Sequence, residues 1–231
     1  MPLNREDSAD ILEAVLPHTP DPDGVPIIEA VLEMPWEPGF TNLCGWLYYA
    51  DEEGRLLRDA ALGTVTFGPD GYYTSGDPEL DTMVADFLNT VILENPEKDR
   101  IDWLYCCYRY CRDHITYVPR DILDFGATGW EVEFGKAALN DLVGNCYGYA
   151  ASFCVLARGL GYDAWCVSGL ALENRGPHGW VEMNIDGIPY VFDPQVERQY
   201  MYKRDNLNLF KMTYGWAKGW LYIRPEKTAD N

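Results

Sequence analysis

Basic residues and histidines are scarce in this chain of 231 residues. Lys and Arg number 18 against 37 Asp and Glu, a formal net charge of −19, and there are 3 histidines. A surface this acidic repels phosphate backbones, which argues against nucleic acid as a partner and against a peripheral seat on an anionic membrane. Long apolar runs are missing too. None reaches the length of a membrane-spanning helix, so no membrane insertion is expected. The segment Met1–Asp10 is polar and acidic, without the apolar stretch of a signal peptide. As it stands the sequence suggests a cytoplasmic location, whereas a longer chain with a leader would be extracellular or on the cell surface. No Gly-rich phosphate loop follows a strand, and the acids of the N-terminal arm lack EF-hand spacing, so no cofactor is expected.

What is present supports a folded domain. The chain is 47% hydrophobic and 14% aromatic, enough to bury a core. It carries 7 cysteines, an odd number in a chain too long to need a disulfide staple, so most read as free thiols packed as small hydrophobes. Cys107, Cys111 and His114 share one helical face, and three soft ligands could hold zinc. Without a fourth ligand or a Cys-x-x-Cys knuckle the stripe reads as a packing face, and no metal site is expected.

Three regions follow one another. Residues 1–38 form an Asp-, Glu- and Pro-rich arm, with one short helix expected from Ser8 to Leu16 and Pro17 as its stop. Residues 39–77 are an aromatic β-hairpin region. Gly45–Ala50 and Val65–Phe67 read as strands, followed by turns at Asp51–Gly54 and Pro69–Gly71 and by return strands. Residues 78–231 begin with two helices, one carrying Leu80, Met83, Val84, Phe87 and Val91, the other running from about Asp99 to His114. A short strand at Ile115–Pro119, a loop-rich stretch over 120–137 and a short helix at Lys136–Leu142 lead to Gly144 and Asn145. The tail from Tyr200 to Pro225, with Tyr214, Trp216, Trp220 and Tyr222, is aromatic enough to wall a substrate groove or to pack on the core, and packing is the simpler expectation.

Cys146 is the residue on which a functional reading turns. Ala150, Phe153, Cys154, Ala157 and Leu160 follow it at helical spacing, which predicts a helix starting near Cys146 with one buried face, closed by Gly161. In the first turn, unpaired N–H groups and the positive end of the helix dipole favour a thiolate and can hold an oxyanion. Asn145 is expected to adopt unusual backbone angles at a sharp turn into this helix.

His178 is the single histidine downstream. It opens an alternating strand that runs to Ile185, and Asp186-Gly187 is a strong hairpin signal before Ile188–Asp193 returns. A two-residue turn pairs Ile185 with Ile188 and Asn184 with Pro189, and onward Trp180 with Asp193. Asp193 then lies diagonal to His178 on one face, at roughly 7 Å between backbones, within reach of a carboxylate–imidazole hydrogen bond. Cysteine, imidazole and carboxylate are the parts of a thiol-nucleophile site, with Asp193 orienting the ring and the other ring nitrogen facing Cys146.

The stretches Gly144-Asn145-Cys146-Tyr147-Gly148-Tyr149-Ala150, Val167-Ser168-Gly169, His178-Gly179-Trp180-Val181-Glu182 and Phe192-Asp193-Pro194 resemble the transglutaminase-like superfamily, permuted relatives of papain-type thiol proteases. The resemblance implies an α+β papain-like/transglutaminase-like core, a helical layer packed on an antiparallel sheet, with the small β-hairpin region ahead of it. It implies Cys146 as nucleophile, His178 as acid–base and Asp193 as orienting carboxylate, with Trp130 or Tyr117 as candidates for a second oxyanion donor. It also implies a peptide or protein substrate. Simple bacterial members are mostly peptidase-like, so hydrolysis is the expected outcome, with glutamine cross-linking or deamidation as the alternative. Residues 39–77 resemble, in two degenerate copies, the aromatic hairpin repeats of choline- and glucan-binding surface proteins. Two copies are too few for a free-standing solenoid, so a small sheet packed on the main domain is preferred to a cell-surface glycan contact or a non-catalytic binding module.

Overall fold

A computed structural model of the protein describes residues 36–171, 176–201, 207–215 and 222–225. The helix expected at Ser8–Leu16 lies outside the described residues, as do Trp216, Gly219, Trp220 and Leu221 of the tail.

The chain opens with two antiparallel pairs, β1 (Gly39–Leu43) with β2 (Trp46–Ala50) and β3 (Ala60–Leu62) with β4 (Val65–Phe67). The turns at Asp51–Gly54 and Gly68–Gly71 are those the sequence suggests, but their return segments make only isolated bridges, Ala50 with Leu56, Tyr48 with Tyr72 and Phe67 with Tyr73. β1 and β3 were not legible as strands. The β1–β2 turn rests on a helix backbone: Gly45 has φ +87°, and a Cβ there would lie 1.9 Å from the carbonyl oxygen of Ala85. Trp36, Trp46 and Tyr48 are buried with Ala85, while Leu47, Val65, Phe67 and Tyr73 join the main core.

Helices α1 (Pro78–Glu94) and α2 (Arg100–His114) start where the sequence places them. Asp77 and Asp99 each accept two backbone N–H groups as N-caps, and Pro78 occupies the first turn. Cys107 and Cys111 are buried in the core, whereas His114 is exposed and stacks on Tyr110. The next helix, α3 (Glu131–Asp141), begins five residues ahead of the expected Lys136. Trp130 at its start offers no side-chain cap, so the sequence gives no start signal there. Tertiary contacts hold that first turn: Glu131 pairs with Arg158 at 3.1 Å.

Two short parallel strands, β5 (Thr116–Tyr117) and β6 (Val143–Gly144), lead to α4 (Cys146–Gly159). α4 was expected to bury one face. It is instead buried on all sides, with Arg158 as the one residue of its span only partly covered. A helix with small and apolar residues around its whole circumference can sit at the centre of a fold rather than on its surface.

The main sheet is antiparallel in the order β10-β7-β8-β9, from β7 (Ala164–Ala171), β8 (Gly176–Ile185), β9 (Ile188–Phe192) and β10 (Tyr222–Ile223). One face, with Val181, Met183 and Phe192, packs in the cluster that holds α4. The other, with Val167, Trp180 and Val191, is covered by Leu209, Met212, Tyr222 and Val196 of α5 (Pro194–Tyr200), a helix not foreseen from sequence. The architecture is thus α+β, helices on an antiparallel sheet.

A buried ionic knot fixes α5 to α2. Glu197, 3% exposed, accepts hydrogen bonds from Arg112 Nη1 at 2.5 Å, Tyr108 Oη at 2.8 Å and the Leu209 N–H at 2.6 Å. Removing one partner of a buried pair strands the other charge. Glu197→Ala should therefore destabilise the fold by about 3–5 kcal/mol in urea unfolding, and a loss under about 1 kcal/mol would contradict the role given to this knot.

Candidate active site

The turn before Cys146 is held from three directions. Thr116 N–H donates to Leu142 O at 2.8 Å and Val118 N–H to Gly144 O at 3.0 Å, so β5 fixes the approach. Asn145 Nδ2 donates to Asp121 O at 3.1 Å, which ties the 120–130 loop to the turn. Asn145 Oδ1 accepts the N–H groups of Tyr147 at 3.1 Å and Gly148 at 3.3 Å. Asn145 is therefore the N-cap of α4 with ordinary extended backbone (φ −86°, ψ −168°), not a strained turn residue. The positive φ in this region falls at Leu142 (φ 52°).

The β8–β9 hairpin has the register read from the sequence. Asp186 and Gly187 both take positive φ (53° and 78°), as a two-residue type I′ turn requires. Ile185 then pairs with Ile188 and Asn184 with Pro189, through to Val181 with Phe192. That register delivers Asp193 beside His178. His178 Nε2 lies 2.6 Å from Asp193 Oδ2, and both residues are buried. With Nε2 engaged there, Nδ1 is the ring nitrogen left free of Asp193, and Cys146 acts electrostatically on the same imidazole. β8 can approach the start of α4 this closely because residue 179 is glycine. A Cβ there would lie 2.5 Å from the Tyr147 ring.

Asp193 is completely buried and its carboxylate has two further donors. Tyr222 Oη donates to the same Oδ2 at 2.7 Å, and Val196 N–H donates to Oδ1 at 2.9 Å, which makes Asp193 the N-cap of α5. Sequence reading missed Tyr222. It stands 29 residues beyond Asp193 on β10, and only the pairing of β10 with β7 brings it back. Also unforeseen is the neighbouring cluster in which Glu182 accepts from Tyr214 Oη and from Arg224 Nη1 at 3.1 Å, while Trp180 Nε1 donates to Tyr214 Oη at 2.9 Å. Of the described aromatic tail, Tyr214 and Tyr222 therefore pack on the outer sheet face, while Phe210 packs on Phe192 in the main core.

Cys146, His178, Tyr117 and Tyr149 line a cleft of about 420 Å³, together with Gln195 and Arg198 of α5. The volume suits a small ligand or one peptide side chain with its flanking backbone. Of the two aromatic residues considered as second oxyanion donors, half-exposed Tyr117 lines this cleft. Trp130 is absent from its lining, and its Nε1 donates to Ala127 O at 2.9 Å.

Burial works to lower the pKa of His178. The charge and hydrogen bond of Asp193, with a further contribution from Cys146, outweigh it and push the imidazole up to about 10. The folded value exceeds the ordinary one of 6.5. The stability it contributes is therefore complete below about pH 6.5 and lost as pH rises through about 10. Histidine ring resonances followed by NMR should show His178 still protonated at pH 8 in the wild type and titrating well below that of the wild type in Asp193→Asn. A wild-type His178 titrating near 6.5 would contradict this electrostatic account.

The family model of the Transglutaminase-like superfamily matches residues 88–194, and no curated protein matches the chain. Among solved structures, the periplasmic domain of TgpA from Pseudomonas aeruginosa is similar at 16% identity and a TM-score of 0.38 over 55% of this chain and 50% of that one. A protein of Cytophaga hutchinsonii proposed to be a cysteine protease gives 14% identity and a TM-score of 0.37 over 52% and 43%. A protein described as a TGase gives 15% and 0.37 over 59% and 36%. The chain thus spans half or less of the length of each of these. Residues 88–194, the stretch that holds Cys146, His178 and Asp193, are thus similar to the transglutaminase-like superfamily.

Proposed function

We propose that Cys146, His178 and Asp193 form the triad of a thiol enzyme that transfers the acyl group of peptide or glutamine amides, most simply to water. The observation that carries this reading is the 2.6 Å contact between His178 Nε2 and Asp193 Oδ2, with Cys146 lining the same cleft as His178 and acting electrostatically on its ring.

In this mechanism the Cys146 thiolate attacks the substrate carbonyl carbon and a C–S bond forms. The carbonyl oxygen takes the negative charge. Asn145 Oδ1 occupies the N–H groups of Tyr147 and Gly148, so the backbone donor offered to the oxyanion is the N–H of Cys146. Protonated His178 gives its proton to the leaving nitrogen as the C–N bond breaks, leaving a thioester and an amine or ammonia. The now neutral imidazole takes a proton from water, hydroxide oxygen attacks the thioester, and the acid departs while His178 returns a proton to sulfur. Asp193 stays ionised throughout and supports the imidazolium. A primary amine in place of water would give a cross-linked amide by the same steps.

The test combines labelling and substrate profiling. Alkylation at neutral pH should modify Cys146 faster than the other cysteines, and His178→Ala should slow it by about 10²-fold or more. A glutamine-containing peptide library, with and without a primary amine, should give cleavage or deamidation that Cys146→Ala abolishes. Amine incorporation would shift the reading to cross-linking. Equal labelling of all seven thiols, with no product in the library, would favour a non-catalytic binding module instead.

A further inference from the structure

Next to Cys146 and His178 on the cleft wall stands a buried amide. Gln195, 7% exposed, lines the cleft from the first turn of α5. Its place is fixed from both sides. Asp193, just ahead of it, accepts the Val196 N–H where the helix starts. Glu197, just beyond it, is bonded to Arg112 and Tyr108. Gln195 Nε2 donates to Gln199 Oε1 at 3.0 Å, one turn along the helix, which fixes the amide. This is its one hydrogen bond among the described residues, so Oε1 and the second N–H are left over. Neither is sealed in the interior. Among the described residues, Tyr73 Oη is the buried side-chain polar atom without a partner. The spare acceptor and donor of Gln195 are therefore open to solvent, and the solvent this residue borders is the cleft.

One free acceptor beside one free donor is the complement of a single residue of extended peptide. In a strand the N–H and C=O of one residue point to the same side, and an antiparallel partner meets both. A side-chain amide can stand in for that partner. We propose that Gln195 is a positioning residue that holds the main chain of an extended peptide substrate, its Oε1 accepting the N–H and its Nε2 donating to the C=O of one residue. That residue is the one preceding the acyl residue, whose own carbonyl is taken up by Cys146. The proposal rests on the acyl-transfer reading of Cys146. It narrows the substrate to a peptide read through its backbone, as distinct from a simple acyl-amide with no second residue to offer. Held there, the chain presents its next carbonyl to the sulfur in a fixed orientation.

Affinity labels of known structure test this on the whole protein. Acetyl-Ala-Ala chloromethyl ketone alkylates a thiolate, chloride leaving as the C–S bond forms. An analogue with lactate in place of the first alanine turns one main-chain N–H into an ester oxygen and keeps every carbonyl. Labelling of Cys146, followed by mass spectrometry at low reagent concentration, should be about fivefold slower with the analogue than with the parent. That ratio should fall to about one in Gln195→Met, which keeps the length of the side chain without its hydrogen bonds. It should persist in Gln195→Glu, which keeps an acceptor. A side chain that only packs would leave the ratio the same in all three proteins. A fast Cys146 with equal rates for the two reagents, or a ratio that survives in Gln195→Met, would overturn the backbone clamp while leaving the thiol reading intact. A Cys146 labelled no faster than the other thiols would overturn both.

Discussion

The buried carboxylate of Asp193 is the constraint on which the site depends. A fully buried carboxyl group is expensive unless it is paired and hydrogen-bonded, and three partners meet this one: the His178 ring, the Tyr222 hydroxyl and the Val196 N–H. Each partner comes from a different element. His178 lies on β8, Tyr222 on β10 and Val196 in the first turn of α5. One side chain therefore orients the imidazole, starts the helix that forms a wall of the cleft, and pins the tail strand over the sheet. Satisfying its charge and building the site are the same event.

The thiol side is fixed by different physics. Cys146 opens a helix that is enclosed on nearly every side, so close packing sets the position of the helix while hydrogen bonds around Asn145 set its first turn. The N-cap of that helix is also the anchor of the 120–130 loop, and the short β5–β6 pair holds the turn from the other side. Sulfur and imidazole thus come from two rigid bodies, the central helix and the sheet, which meet at Gly179 and Tyr147. The Glu197 knot extends this rigidity to α5, so that the helix presenting Gln195 is tied to α2 behind it.

How much of this could be read from the sequence follows from how local each signal is. The β8–β9 register was legible to the residue because Asp186-Gly187 dictates a two-residue turn, and everything in the hairpin follows by counting. The start of α4 was legible from its spacing, and so were those of α1 and α2 from their apolar stripes, with the Asp77 and Asp99 caps seen in the structure. The antiparallel sheet with a helical layer followed from the family resemblance, and the match over residues 88–194 agrees with it. What was missed is what only tertiary structure decides. The first turn of α3 has no cap and leans on Arg158. Burial of α4 on all sides depends on what surrounds it. Tyr222 meets Asp193 through strand pairing far along the chain. Asn145 was noticed for the right place and the wrong reason, since its side chain, not its backbone freedom, does the work. The α5 helix is signalled by Asp193-Pro194, a cap followed by a first-turn proline, but the same pair also suits a turn and does not by itself specify a helix.

The most direct test of the central claim is to look for the acyl group on sulfur. Acid-quenched digests of the protein turning over a peptide amide or activated ester, read by mass spectrometry, should carry the acyl mass on the peptide containing Cys146. That mass should be absent in Cys146→Ala and much reduced in His178→Ala. Turnover that persists without Cys146, or an acyl group found on any of the other six cysteines, would contradict the account.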